Sequence, residues 1–315
     1  MNAPAVILRD VSKRFGEVQA VRGISLEVQR GSLTGFIGPN GAGKSTTIRM
    51  IMSIIRPDSG SVDVLGADAI AAKDRIGYLP EERGLYRRMR VMEFLCYMAA
   101  LKGVPAHGLK ARVRAWLERV QLPEAERKRC QELSKGQQQK VQFIASVIHE
   151  PELIILDEPF SGLDPVNARL LNRLIREIHS TGRTIIFSTH VMHQAEQLCD
   201  RIVLINRGRK ILDASMQEIR ARFDPRVVEA EPLDGDARAA DALAGIPGVA
   251  SAHWSPERRA AELALAPSAD ARAVMGAAMA AMPLRHVALR RTTLDDVFVE
   301  LVGEAAPPSE ESGNG

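Results

Sequence analysis

An α/β fold on a largely parallel sheet is what this sequence predicts, with an all-helical insertion and, behind it, a small α+β unit of ferredoxin-like order. Three observations carry that prediction. Apolar runs alternate with helix-period segments through the first two thirds of the chain, the β-type runs vanish between residues 86 and 150, and beyond Ile219 the texture turns alanine-rich and acidic. At ~150 residues per domain, a length of 315 gives two domains, each large enough for its own core. The expected organisation is 1–223, with the insertion at about 86–150, then 224–303, then a disordered tail over 304–315.

In chain order, residues 33–37 (LTGFI) form a short buried strand, and a glycine-rich turn at 38–43 breaks it. Ile48, Ile51, Met52 and Ile55 then recur at i, i+3, i+4, i+7, which predicts a helix closed by Pro57. Helical spacing returns at 91–101 and 112–120, inside the insertion. Residues 153–156 are a second buried strand running into Asp157 and Glu158, and Asp164 with Pro165 caps an amphipathic helix that stops near Gly182. Residues 184–188 are a third strand, ending just before His190. The C-terminal part reads β (227–231), α (236–244), β (249–254), β (260–265), α (268–282), β (286–290), an order like that of a split βαβ unit. Thr293 followed by Asp296 is a capping box for a last helix through Leu301.

Charge and cysteine usage narrow the classes. Lys and Arg number 42 against 39 Asp and Glu, and aromatics make up 4%, which suggests neither a nucleic-acid-coating protein nor a stacking platform. The balance is uneven along the chain. From Arg226 onward there are 8 basic and 14 acidic residues, leaving +9 in front and −6 behind, so an anionic ligand belongs to the front part. Cys96, Cys130 and Cys199 are far apart and without a CxxC spacing, so neither a zinc site nor a disulfide framework is encoded, and a reducing setting fits. No stretch approaches the ~18 uncharged residues of a membrane span, and the N-terminus lacks the pattern of a signal peptide. Work at a membrane would need another chain to cross it.

Residues 38–45 read G-P-N-G-A-G-K-S, a full match to the phosphate-binding loop, set between a strand and a helix as its mechanism requires. Gly38, Pro39, Asn40, Gly41, Ala42 and Gly43 curl the backbone so that its N–H groups face phosphate oxygens, and the helix N-terminus adds partial positive charge. Lys44 neutralises the β and γ phosphates, Ser45 ligates Mg2+, and Thr46 follows in the same turn. A small-molecule kinase or a GTPase would share all of this. No N-K-x-D guanine-reading tetrapeptide occurs, which weakens the GTPase.

Two later stretches discriminate further. Leu133-Ser134-Lys135-Gly136-Gln137 precedes an amphipathic helix, and the run ending Asp157-Glu158-Pro159 places two carboxylates at a strand end, where α/β sheets bind ligands. With the phosphate loop, these residues make the chain resemble the ATP-binding subunits of ABC transporters, whose L-S-G-G-Q signature it matches except at Lys135. The resemblance spans roughly residues 5–302. It implies an ATP-hydrolysing subunit, peripheral at the cytoplasmic face of the cell membrane. Two copies in a head-to-tail dimer share ATP and Mg2+ and energise a separate integral-membrane permease subunit.

Carried onto single positions, the resemblance gives Ser134, Gly136 and Gln137 the γ-phosphate of the opposite copy. Asp157 takes the metal and Glu158 the attacking water. Asp164 belongs to the loop coupling the two sites, His190 to the γ-phosphate, and Phe15 to adenine. Glu81 stands where the family usually has glutamine. A carboxylate there can still ligate Mg2+, but it cannot donate a hydrogen bond to water as an amide does. Glu81-Glu82-Arg83-Gly84-Leu85-Tyr86, Lys135, and the segment Thr293-Leu294-Asp295-Asp296-Val297-Phe298 look like the sodium-extrusion and drug-export branch. In that branch Leu85, Tyr86, Arg87 and Arg88 are candidates for permease contact. The rival is a soluble ABC-type ATPase acting on nucleic acid or ribosomes; such proteins usually carry a long coiled-coil insertion or two cassettes, and this chain has one cassette. A phosphate-loop kinase would leave Ser134 to Gln137 without a role.

Overall fold

Five parallel strands and one antiparallel edge strand make the central sheet of the computed structural model, which describes residues 3–82 and 84–303. Its strands are β3 (Leu33–Ile37), β5 (Ile76–Leu79), β6 (Leu153–Asp157), β7 (Thr184–Thr189), β8 (Arg201–Asn206) and β9 (Arg209–Ser215), in the order β5-β6-β7-β3-β8-β9. Every residue of β3, β6 and β7 is buried, as expected of strands covered on both faces, and this is why they read as unbroken apolar runs.

A second, antiparallel sheet has β1 (Val6–Phe15) between β2 (Val18–Val28) and β4 (Ser59–Val64). Sequence reasoning did not separate this sheet from the parallel one. Its strands alternate: Val6, Leu8, Val11, Ile24, Leu26 and Val28 are buried, while the residues between them are exposed or, at Ile7, half-buried. The inward set joins Phe36, Ile155, Ile186 and Val203 of the central sheet in one core, which also takes Ile48, Met50 and Ile51 of helix α1 (Lys44–Ile51). Helix α1 ends earlier than the apolar spacing predicts. Ser53 adopts φ 53°, a left-handed conformation that stops a helix, so Ile55 reaches the core from a turn.

The insertion consists of α2 (Val91–Leu101), α3 (Leu109–Arg119) and α4 (Lys135–Val147), with no strand among the described residues of 86–150. Helix α4 lies hard against β5: a Cβ on Gly77 would stand 1.9 Å from the Ser146 carbonyl oxygen, so only glycine allows this approach. Helix α5 (Pro165–Ser180) buries Leu170, Leu171, Leu174 and Ile175, is capped by Asp164, and is followed by α6 (Met192–Leu198) after β7.

The chain divides into two compact units at Met216 and Gln217, where α7 (Met216–Arg222) begins, a little ahead of the composition shift. The second unit holds β10 (Val227–Pro232), α8 (Ala239–Leu243), β11 (Val249–Ser255), β12 (Ala260–Leu265), α9 (Ala271–Ala281), β13 (Leu284–Leu289) and α10 (Leu294–Gly303). The sheet order β11-β12-β10-β13, antiparallel throughout, is that of the expected split βαβ unit. Its core is separate, built on Val228, Ala230, Leu243, Leu263, Val274 and Ala278. Thr293 and Asp296 cap α10 reciprocally, each backbone N–H donating to the other side chain at 3.1 Å. Among the described residues no helix is long and apolar enough to cross a membrane. The expected disordered tail lies outside the described residues.

Candidate active site

The C-terminal ends of β6, β7 and β3 lie side by side, and each delivers part of one site. After β3 the chain makes the turn at 38–43. Gly38 has φ 146° and Gly43 φ 108°, and a Cβ on either would collide with the carbonyl oxygen of Ile205 or Ala20, so this curl is closed to other residues. Lys44 then folds back, its Nζ donating to the carbonyls of Gly38 (2.7 Å) and Pro39 (3.0 Å). An ammonium has three N–H donors, which leaves one to point at a ligand in the loop. Burial pulls the Lys44 pKa down, opposed by the charges of Glu158, Asp157 and Glu81.

Asp157 closes β6 and is 1% exposed. It accepts from the Ser188 hydroxyl of β7 and from Ser45 Oγ at 3.4 Å. Burial raises its pKa, and the neighbouring charges of Glu81 and Glu158 push the same way, against the hydrogen bonds from Ser188 and Ser45. Glu158 follows in a left-handed conformation, φ 49°, which is uncommon for a side chain of this size. Its backbone N–H reaches Ser188 Oγ at 3.3 Å. Its Oε1 accepts from the backbone N–H of His190 (2.9 Å) and lies 2.8 Å from His190 Nδ1, while Oε2 lies 3.4 Å from Thr189 Oγ1. With Nδ1 donating to the carboxylate, the other ring nitrogen of the half-exposed His190 is turned away from it.

A cleft of about 350 Å³ collects Asn40, Gly41, Ala42, Gly43, Lys44, Ser45, Thr46, Glu81 and Glu158, with Ala20. Three carboxylates (Glu81, Asp157, Glu158) face one ammonium here, and a triphosphate would add more negative charge. The oxygen donors Ser45, Asp157 and Glu81 are the set that suits a hard divalent cation, and Mg2+ typically takes one or two carboxylates together with substrate phosphates. The residues therefore fit Mg2+.

The remaining expected residues lie outside that lining. Ser134 caps α4 in a reciprocal box with Gln137, at 3.3 Å from Gln137 N and with its own N–H 3.0 Å from Gln137 Oε1. Gly136 packs near Leu163, where a Cβ would be 3.4 Å from Leu163 Cδ2. Asp164 accepts from the N–H groups of Val166 (3.0 Å) and Asn167 (2.9 Å). Phe15 is exposed at the end of β1, with Lys13 Nζ 5.6 Å from its ring. Sequence reasoning missed Ser188 and Thr189, which hold the two carboxylates. Their signal was available, since both are polar residues that follow the apolar run Ile185-Ile186-Phe187 in a fully buried strand.

Fold and site together define an ATP-binding cassette, a phosphate-loop ATPase core with a helical insertion. A family profile described as ABC transporter matches residues 21–161, and one described as the C-terminal domain of DrrA1-3-like ATP-binding proteins matches residues 215–302. The uncharacterized ABC transporter ATP-binding protein YhaQ of Bacillus subtilis is 37% identical, across 93% of this chain and 97% of the relative. The daunorubicin resistance ATP-binding protein DrrA3 of Streptomyces coeruleorubidus is 33% identical, across 95% and 96%. A solved ATP-binding subunit of an ABC transporter superposes with a TM-score of 0.65 at 30% identity, covering 70% of this chain and 93% of that one. The chain belongs to the ATP-binding proteins of ABC transporters.

Proposed function

We propose that this chain hydrolyses Mg-ATP as a head-to-tail pair of copies and drives a separate integral-membrane permease from the cytoplasmic face of the membrane, acting as an exporter. One observation carries the reading: Lys44, Ser45, Glu81 and Glu158 converge on one cleft, with Asp157 hydrogen-bonded to Ser45 beneath it. The C-terminal unit, matched by the DrrA-like profile, favours a drug-like cargo over sodium.

The chemistry follows from the donors and acceptors. Lys44 and the loop N–H groups hold the β and γ phosphates, and Mg2+ bound by Ser45, Asp157 and Glu81 would neutralise phosphate charge. Glu158 accepts the proton of a water as it attacks the γ-phosphorus and the bond to the ADP oxygen breaks. His190, positioned by Glu158, turns its free nitrogen toward the γ-phosphate. Ser134 and the N-terminus of α4 offer a hydroxyl and backbone N–H groups to the nucleotide of the second copy. ATP binds the closed pair better than the open one, and that difference is what biases the permease. Tyr86 supports a docking surface: it is exposed and stacks edge-on with Tyr97 of α2, 5.7 Å between centroids, and Leu101, one turn further along the same helix, is exposed too.

Glu158→Gln keeps the shape of the side chain and removes the base. The variant is expected to accumulate as an ATP-bound dimer on size exclusion with saturating Mg-ATP, with hydrolysis reduced by ~100-fold or more, the usual scale for loss of a general base. A variant that stays monomeric would contradict the shared-nucleotide reading.

A further inference from the structure

Helix α4 begins at Ser134, the residue assigned to the opposite nucleotide, and carries two buried glutamines one turn apart. Gln139 and Gln142 are 1% and 6% exposed. Burying an amide costs more than burying an aliphatic side chain of similar size unless its hydrogen bonds are made, so their contacts matter. Gln139 Nε2 donates to the carbonyl of Pro159 at 2.9 Å, one residue beyond Glu158. Gln142 Nε2 donates to the carbonyl of Glu82 at 3.4 Å, one residue beyond Glu81. Among the described residues Gln142 Oε1 has no partner.

These contacts join each carboxylate-bearing loop of the cleft to one helix. The seating of α4 on β5 is close, because Gly77 brings the Ser146 carbonyl against the strand that leads into Glu81. The contact from Gln142 is different in kind. It is long for an N–H···O bond, and the same amide has an acceptor left over. A methionine or leucine would fill this site without either feature, so packing alone does not account for an amide here.

We infer that Gln142 is a positioning residue for hydrolysis: it fixes the loop carrying Glu81 to α4, so that the helix capped by Ser134 and the carboxylate of its own cleft move together. The inference rests on the proposed ATPase reading and adds a physical link between the two nucleotide sites. Gln142 touches neither nucleotide. It acts through the backbone of Glu82.

The test uses the full-length chain and Gln142→Met, which keeps the length of the side chain and removes the donor. Five quantities are read: hydrogen exchange of a peptide spanning residues 76–82 and of the phosphate loop, ATP affinity, kcat and the thermal midpoint. The expected result is exchange at least fivefold faster in that peptide and kcat lower by roughly tenfold, with phosphate-loop exchange and ATP affinity within twofold of wild type. A purely structural role would move the phosphate loop and the thermal midpoint as well. Exchange in the 76–82 peptide or kcat within twofold of wild type overturns the inference, and Gln142→Leu repeats the measurement if the methionine variant does not fold. Failure of the wild-type chain to turn over Mg-ATP would refute the ATPase reading instead, and the exchange comparison distinguishes the two because it needs no turnover.

Discussion

At the scale of single residues, the carboxylates of the cleft reach it from different strand ends. Glu158 is kept in a left-handed backbone conformation while its oxygens are occupied by His190 and Thr189, and Glu81 enters the cleft from a different strand. Since Glu81 is placed as an oxygen donor to a cation, and a glutamine carbonyl oxygen is one too, Glu81→Gln is expected to retain ATPase activity. A loss beyond tenfold in steady-state turnover, about 1.4 kcal/mol in barrier, would mean that the negative charge itself has a task. His149 gives a second, pH-dependent case. Its Nε2 lies 3.1 Å from the Ile76 carbonyl and so carries the proton, its Nδ1 is buried with no partner among the described residues, and burial lowers its pKa to about 4. The unfolded chain, with an ordinary value of 6.5, takes up the proton first as pH falls. Stability is therefore whole above about pH 6.5 and is lost as pH drops toward 4. His149→Gln should lose less of its thermal midpoint than wild type between pH 7 and pH 5; equal losses would assign the pH response elsewhere. The phosphate loop and the Asp157-Glu158 pair were picked out in the sequence by residue type and spacing, and the structure brings them together at the ends of β3 and β6. Ser188 and Thr189 stand out in the sequence only as polar residues at the end of an apolar run, and which carboxylate each one meets follows only once β7 lies beside β6.

Among the elements, the apolar runs that face cores on both sides were read directly, and β3, β6 and β7 lie where those runs fall. The hairpin of β1 and β2 was not, since half-exposed strands with several register shifts carry a weak alternation. Helix α1 stops short of its apolar pattern for a backbone reason, the left-handed Ser53, which side-chain periodicity does not report. The contact of α4 with β5 is the most demanding junction between elements. An alanine at Gly77 would have to displace the Ser146 backbone, because its Cβ would meet that carbonyl oxygen at 1.9 Å. Overpacking of this kind costs on the order of 1–3 kcal/mol, or about 2–12 °C of thermal midpoint for a unit of this size. Gly77→Ala is thus expected to melt earlier and to hydrolyse ATP more slowly, since the loop bearing Glu81 follows β5. A melting curve superimposable on wild type would show that α4 can move away without loss.

For the whole molecule, the decisive fact among the described residues is that each unit has a core of its own, while the phosphate-loop cleft lies within the first. Residues up to Met216 form one compact unit and those beyond it another, each with its own buried apolar cluster, and every residue lining the phosphate-loop cleft belongs to the first. The uneven charge along the chain agrees with that division of labour, the basic excess lying in the part that receives an anion. A ligand that binds only one folded unit stabilises that unit by RT ln(1 + [L]/Kd), about 2.7 kcal/mol at a hundredfold excess over Kd. Units with independent cores can unfold in separate transitions, so calorimetry of the full chain should resolve two. Mg-ATP at that excess should raise the transition of the first unit by about 5–10 °C and leave the second in place. If both transitions rose together by the same amount, the C-terminal unit would be energetically coupled to nucleotide binding, and its role would be regulatory rather than that of an independent appendage. Repeating the scan with Glu158→Gln, whose hydrolysis is expected to be slower by ~100-fold or more, removes turnover as a cause of any difference and leaves nucleotide binding together with the pairing of copies it supports.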